Sequence, residues 1–169
     1  MNNFIKNLGI GKVALIKEWL SKQGITDYTL DNEYRISTNC YIRVQVDGNL
    51  PEYISFYQVY DFSLLGTENT TSLKGCPEIV NRNFTCCGCP NLKSLEGCPR
   101  LVNCDFIVEN NGIENLEDIK EYPFFPQQSR RVCLCGNPIT KNSEILYNIA
   151  KKIHSICHTN REILLYIKY

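Results

Sequence analysis

The chain has 169 residues, a length that fits one domain, and 43% of them are hydrophobic, enough to form a buried core. Its 18 basic and 18 acidic residues cancel to a formal net charge of zero, which argues against a general binder of nucleic acid, because such binding rests on a basic surface. The first residues lack the apolar run of a secretory signal, and no stretch approaches the ~18 consecutive apolar residues of a membrane span. We therefore expect a cytoplasmic protein that does not contact a membrane.

The first part of the chain, residues 1–41, is predicted to form an N-terminal cap. We place a helix at about residues 11–23, and Gly24 suits the position just after its end. Residues 28–40 are predicted to form strands or a hairpin. Four apolar side chains fall on one face of the predicted helix and would cover the adjoining core: Val13, Ile16, Trp19 and Leu20.

A repeat of 22 residues follows. Ser72–Pro77 reads Ser-Leu-Lys-Gly-Cys-Pro and Ser94–Pro99 reads Ser-Leu-Glu-Gly-Cys-Pro, so five of six residues are identical at this offset. The same offset relates Phe62, Phe84 and Phe106. A fixed period of this length is typical of a solenoid, in which each unit stacks on its neighbours to bury a shared core.

Each unit carries a short stretch of alternating apolar and polar residues, which indicates a strand. We predict about five units in residues 42–140, with their strands paired in a parallel sheet. An Asn or Cys after most strands is expected to lie inside the turn, where its side chain pairs with backbone groups. The inward pairs are Val44 and Val46, Phe62 and Leu64, Phe84 and Cys86, Phe106 and Val108, Val132 and Leu134; the turn residues are Asn49, Cys89, Asn111 and Asn137.

The last part of the chain, residues 141–169, is predicted to form a C-terminal helical cap. Asn142 or Ser143 can begin a helix, and Asn160 can begin a second, shorter one. The apolar spacing supports both helices: Ile145, Leu146, Ile149, Ile153 and Ile156 in the first, and Ile163, Leu164 and Ile167 in the second.

The units resemble the leucine-rich repeat, whose pattern is L-x-L-x-x-N/C-x-L. Phe106–Ile113 carries the resemblance, and Leu134–Ile139 resembles a final repeat of that family. The Ser-Leu-Lys/Glu-Gly-Cys-Pro units also resemble short repeat proteins of tailed bacteriophages. With its caps, the chain is therefore expected to be an α/β repeat protein, a short leucine-rich-repeat-like solenoid with a parallel sheet and a helical cap at each end. The phage resemblance implies a host protein as partner, one of a defence or metabolic system.

The ten cysteines are explained mainly by the repeat. Cys86 takes the place of Leu64, Cys89 that of Asn111, and Cys76 and Cys98 are equivalent turn positions. Such thiols behave as small buried hydrophobes, and their spacing fits a tetrahedral zinc site poorly, so we expect no metal and no cofactor. The thiols that alternate outward, and are expected to be exposed, are Cys87, Cys133 and Cys135.

No motif predicts catalysis. The chain has neither a G-x-S-x-G nucleophile motif nor a phosphate-binding P-loop, so no catalytic residue is assigned and no enzyme is expected. His154 and His158 share a helix face beside Cys157, but no carboxylate completes an H-E-x-x-H zinc motif. A cysteine-dependent enzyme or metal-binding protein and a self-associating structural subunit stay open as alternatives.

Solenoids usually bind partners on the concave sheet, which offers a broad surface with regularly spaced side chains. Acidic residues concentrate in residues 101–121, which favours a basic partner. We therefore predict a non-enzymatic module that binds a protein, without nucleic acid or membrane. Strand alternation assigns the concave face to Arg43, Gln45, Asp61, Ser63, Leu65, Asn83, Thr85, Cys87, Asp105, Ile107, Glu109, Arg131 and Cys133.

Overall fold

The computed structural model describes residues 2–114, 132–141 and 165–166. Arg131 and most of the predicted C-terminal cap, including both histidines, lie outside these residues. In chain order the elements are α1 Asn2–Lys22, β1 Thr29–Leu30, β2 Ile36–Ser37, β3 Tyr41–Gln45, β4 Phe56–Val59, β5 Asp61–Leu65, β6 Ile79–Val80, β7 Phe84–Cys87, β8 Leu101–Val102, β9 Phe106–Glu109, β10 Val132–Cys133, a 3-10 helix Pro138–Lys141, and β11 Leu165–Tyr166.

The strands form two sheets, and the chain passes from one to the other in each of about four solenoid turns. The front sheet has the order β11-β10-β9-β7-β5-β3, and every pairing in it is parallel. The back sheet has the order β1-β2-β4-β6-β8, and only β1 and β2 pair antiparallel. The predicted solenoid with parallel strands is therefore confirmed, whereas the back sheet was not foreseen. Its strands β6 and β8 have two residues each, too few to show alternation in the sequence.

The core contains a column of stacked phenylalanine rings. Phe62 pairs with Phe84, and Phe84 with Phe106, in the front-sheet register. Their ring centroids lie 5.9 Å and 5.5 Å apart, with interplanar angles of 3° and 16°. All three rings are buried. The expectation that the repeat brings these residues together is confirmed, because strands in register place equivalent residues of successive turns side by side.

Helix α1 covers the N-terminal end of this core, as predicted, although it begins nearer the N-terminus than residue 11. Gly24 ends the helix with a φ of 71°, a conformation that suits glycine. The amide of Ile25 donates to the carbonyl of Leu20 at 2.9 Å and closes the last turn. Trp19 packs edge-on against Phe56, with ring centroids 6.3 Å apart. The predicted hairpin of residues 28–40 is present as β1 and β2.

The C-terminal end differs from the prediction. Leu165 and Tyr166 fall in the predicted second helix, but they form β11, which pairs in parallel with β10. That helix assignment is wrong at these residues, and helical caps at both ends are not confirmed. The physical reason is that, without β11, the outer edge of β10 would leave its backbone N–H and C=O groups unpaired. A strand can form hydrogen bonds with these groups, whereas a helix cannot.

Two buried asparagines, Asn111 and Asn137, fasten the later turns of the solenoid to the preceding ones. The Asn111 side chain accepts a hydrogen bond from the Cys89 amide at 2.9 Å and donates one to the Cys86 carbonyl at 3.0 Å. Asn137 makes equivalent bonds one turn later, accepting from the Ile113 amide at 3.3 Å. The predicted role of the turn residues is therefore confirmed for these two asparagines.

In the first turns of the solenoid, other side chains form the hydrogen bonds between successive turns. Asn49 is exposed, contrary to prediction, and accepts a hydrogen bond from the Thr71 amide at 2.8 Å. In the second unit the buried residue is Thr70, whose hydroxyl donates to the Gly48 carbonyl at 2.8 Å and accepts from the Thr67 amide at 3.1 Å. A short hydroxyl thus replaces the amide side chain of the later units.

The repeated Gly-Cys-Pro segments make the turns that lead into the back sheet. Gly75 and Gly97 have φ angles of 91° and 85°, a region that side chains avoid. A Cβ atom on Gly97 would also lie 2.8 Å from the backbone of Leu73 in the preceding unit. The glycine is therefore required both for its backbone conformation and for the close stacking of successive turns. Among the described residues, no helix has the length and apolar character needed to cross a membrane.

Candidate protein-binding face and thiol cluster

The residues predicted to bind a partner lie on the outer side of the front sheet, except Arg131, which is outside the described residues. They align across the strands in rows. One row runs along Arg43, Ser63, Thr85, Ile107 and Cys133. The next row runs along Gln45, Leu65, Cys87 and Glu109. Arg43 and Gln45 are exposed on the edge strand, and most other members are half-buried by their neighbours.

Acidic and amide groups form a third row where the strands begin. The Asn83 side chain donates to the Asp61 carboxylate at 3.1 Å and accepts a hydrogen bond from the Asp105 amide at 3.2 Å. Partial burial raises the pKa of Asp61, and the Asn83 hydrogen bond opposes this shift only in part. The row fixes the Asp61 carboxylate at one margin of the face and brings the backbone of Asp105 to the same margin.

Aliphatic groups lie in the two rows that follow this polar row along the strands. Leu65 and Ile107 are half-buried on the outer side, and Thr85 pairs with Ile107 in the register. Ser63 is only 8% exposed, so it contributes little surface of its own. The outer side of the front sheet therefore presents apolar patches with a charged margin, which matches the general make-up of protein interfaces.

At the C-terminal end of the face, the side chains of Glu109, Cys133 and Cys135 converge. We call this group the thiol cluster. The Cys133 thiol donates to the Glu109 carboxylate at 2.8 Å, and the two Sγ atoms are 3.1 Å apart. All three ligand atoms lie within 4.8 Å of one another. Burial and the nearby carboxylate raise the pKa of Cys133 to about 12, so the thiol stays protonated at neutral pH.

Cys133 is only 3% exposed, so the prediction that it is an exposed thiol is wrong. It belongs to β10, which pairs with β9 on one side and with β11 on the other. Cys87 and Cys135 are half-buried. The exposed thiol among the described residues is Cys40, which the sequence pattern did not single out because it precedes the repeat.

The four cysteines that the repeat predicts to be packed inside, Cys76, Cys86, Cys89 and Cys98, lie in the core or pack against it. Cys76, Cys86 and Cys89 are buried, and the Sγ atoms of Cys86 and Cys89 are 3.9 Å apart. Burial raises the pKa of Cys76 and raises that of Cys98 to about 12. These thiols pack as hydrophobic groups, and no cysteine among the described residues is in a disulfide.

Convergence of the thiol cluster was missed at the sequence level. Cys133 pairs with Ile107 in the register, and continuing that register by two residues sets Cys135 opposite Glu109. The signal available in the sequence was this Cys-x-Cys alternation. The alignment of Val132 with Phe106 in the sequence already implied this register, which the structure confirms, but the meeting of the two thiols with Glu109 was not inferred from it.

The outer side of the back sheet is the competing surface. Glu78 bridges Arg35 at 3.1 Å and Arg100 at 3.4 Å, which satisfies these charges within the chain. Ile79 and Leu101 pair beside them and are half-buried. This surface therefore has aliphatic groups similar to those of the front sheet, but its neighbouring charges already have opposite-charge partners.

Comparisons with protein-family models, with curated proteins and with solved structures found no match to this chain.

Proposed function

We propose that this chain is a non-enzymatic protein-binding module and that its contact surface is the outer side of the front sheet. The observation that carries the proposal is the placement of aliphatic Ile107 in the row next to the hydrogen-bonded Asp61, Asn83 and Asp105, with Leu65 in the row after it. Apolar contact area next to oriented charge is the combination that gives interfaces both affinity and specificity.

Rigidity of the surface supports this proposal. The strands that carry these residues pair in register across β5, β7 and β9, and the phenylalanine column holds them from inside. Binding then costs little ordering of the backbone, so more of the contact energy remains as affinity. Solenoids in general use such regular sheet faces for partners.

Charge indicates the chemistry of the partner. Asp61, Asp105 and Glu109 lie on the face, with Arg43 on the edge strand as a basic residue. A partner with a basic surface would be attracted to this margin and oriented by it. The resemblance to short phage repeat proteins extends the proposal to a host protein in the cytoplasm, from a defence or metabolic system.

Self-association is the second candidate, because β3 is an edge strand of the front sheet. Its five residues alternate between exposed and buried side chains. An edge strand presents unpaired backbone groups that a second copy could use. Light scattering over a range of protein concentrations distinguishes the two candidates, since a mass that doubles with concentration would favour self-association.

The binding surface can be tested with a paired set of variants. Leu65→Lys with Ile107→Lys places two positive charges on the front sheet while the aliphatic stems keep part of their packing. The matched control, Ile79→Lys with Leu101→Lys, makes the same change on the back sheet. Circular dichroism melting first establishes that both variants fold like the parent.

Partners captured from the source cells by the parent chain are then identified by mass spectrometry and purified for calorimetry. We expect the front-sheet variant to bind such a partner at least about tenfold more weakly, as loss of central contacts does, and the back-sheet control to bind like the parent. A folded front-sheet variant that keeps full affinity for every partner would overturn the proposed surface.

A further inference from the structure

The thiol cluster has a geometry that core packing does not explain. Cys133 and Cys135 lie at alternate positions of one chain segment, yet their Sγ atoms are 3.1 Å apart and the Glu109 carboxylate is 2.8 Å from one of them. The interior pair Cys86 and Cys89, by contrast, meets no carboxylate in its hydrogen bonds and fills the core. Two thiols and a carboxylate therefore converge at one end of the front sheet.

We propose that Cys133, Cys135 and Glu109 form a binding site for a thiophilic divalent cation of the Zn²⁺ class. Thiolate sulfur and carboxylate oxygen are established ligands of Zn²⁺, and water at the fourth position would complete a tetrahedron. The proposal is independent of the protein-binding function, and it replaces the expectation, based on spacing alone, that these cysteines are metal-free.

The geometry is close to what such an ion needs. With Zn–S of about 2.3 Å and Zn–O of about 2.0 Å, tetrahedral ligand atoms are separated by about 3.5–3.8 Å. The Sγ–Sγ separation of 3.1 Å and the Sγ–carboxylate separation of 2.8 Å must each widen by less than an ångström. Side-chain rotation can supply this movement, while the paired strands β9 and β10 stay in place.

The charge balance also fits a cation, because the thiols are protonated without it and lose their protons only when it binds. Two thiolates beside a carboxylate would carry three negative charges in one small, partly buried volume, which is unfavourable without compensation. Binding of Zn²⁺ to the two thiols and the carboxylate forms two Zn–S bonds and one Zn–O bond, breaks two S–H bonds and releases two protons to solvent. The bound site then carries a net charge of minus one.

Co²⁺ is the probe for a first experiment, because its thiolate complexes have charge-transfer absorption that scales with the number of sulfur ligands. The full chain is reduced, freed of metal and reductant, and titrated without oxygen. We expect one equivalent of Co²⁺ to bind with a two-thiolate, tetrahedral spectrum, and Zn²⁺ to displace it. Release of two protons per ion can be measured in weak buffer.

Single-residue variants test the contribution of each proposed ligand to Co²⁺ binding. Cys135→Ser should lose about half of the charge-transfer intensity and bind Co²⁺ at least about tenfold more weakly, since one of two sulfur ligands is gone. Glu109→Gln should weaken binding while leaving the charge-transfer intensity unchanged. Cys40→Ser is the matched control, because its thiol is exposed and belongs to the segment before the first long strand, and its titration should match that of the parent.

Three outcomes would overturn the proposal. They are the absence of a charge-transfer band in the parent chain with excess Co²⁺, an unchanged band in Cys135→Ser, and a Cys133–Cys135 disulfide that persists after reduction and shows as the missing mass of two hydrogens. Cys135 and Glu109 are half-buried, so their conservative variants are expected to fold, and far-ultraviolet circular dichroism checks this. Protein binding by the front sheet is judged separately with the lysine variants.

Discussion

The two sides of the front sheet use the same strands for different purposes. On the inner side, Phe62, Phe84 and Phe106 stack into one continuous aromatic column. On the outer side, the next residues along the same strands include Thr85 and Ile107, which are half-buried and make up a varied surface. Stability is therefore concentrated inside, and the outer side chains can differ from turn to turn without disturbing the core.

The strongest test of this comparison is Phe84→Ala, which removes the central ring of the column. We expect a loss of ~3–5 kcal/mol of unfolding free energy, because both the buried area and the filled volume are lost. Chemical denaturation monitored by circular dichroism measures it. Thr85→Ala, on the outer side of the same strand, is the control and should change stability by about 0.5 kcal/mol or less. Equal losses of unfolding free energy in the two variants would show that stability is not concentrated on the inner side of the front sheet.

Asn111→Ala tests the fastening between turns. It leaves the Cys89 amide and the Cys86 carbonyl without their side-chain partner in a buried position. We expect a loss of about 1–3 kcal/mol, the usual cost of a buried unsatisfied polar group. Asn91→Ala, which removes an exposed hydrogen bond to the Glu68 carbonyl, should cost clearly less in the same denaturation experiment. A cost for Asn111→Ala no larger than that of Asn91→Ala would contradict the structural role.

Asp61→Asn is the smallest change and concerns the outer side. Burial raises the pKa of Asp61 above its ordinary value of 3.8, so the unfolded chain releases this proton more readily than the folded chain. The stability that Asp61 contributes is complete below that ordinary pKa and is lost as pH rises through the raised folded-state pKa. The neutral amide should therefore stabilise the protein at pH 7 by a few tenths of a kcal/mol, a small effect because solvent screens the half-exposed group.

The pH dependence gives this prediction its test. The advantage of Asp61→Asn over the parent should shrink as pH falls through the raised folded-state pKa and vanish below 3.8, where the carboxyl is protonated in both states. Thermal melts of both chains across this pH range provide the comparison. An advantage that is the same at every pH would mean that ionisation of Asp61 is not its source.

Particular residues show which parts of the fold the repeat pattern was sufficient to predict. The 22-residue offset was enough to place Phe62, Phe84 and Phe106 in one column, and the apolar face of Trp19 and Leu20 was enough to place the N-terminal cap. Both inferences depend on the periodic spacing of apolar residues, which is visible in the sequence itself. Alternation also assigned the outer residues of the front sheet to one side. Binding of a partner to that side is tested by the variant that combines Leu65→Lys with Ile107→Lys.

By itself, then, the sequence determined the solenoid, its aromatic column and its N-terminal helix, because each follows from spacing along the chain. Only the tertiary structure decided the back sheet, the strand at Leu165–Tyr166, the burial of Cys133 and the meeting of Cys135 with Glu109. These features depend on which distant strands pair and in which register. The repeat pattern gave the register of β10 against β9, but it did not show that β11 pairs with β10 or how closely the side chains of the last turns approach one another.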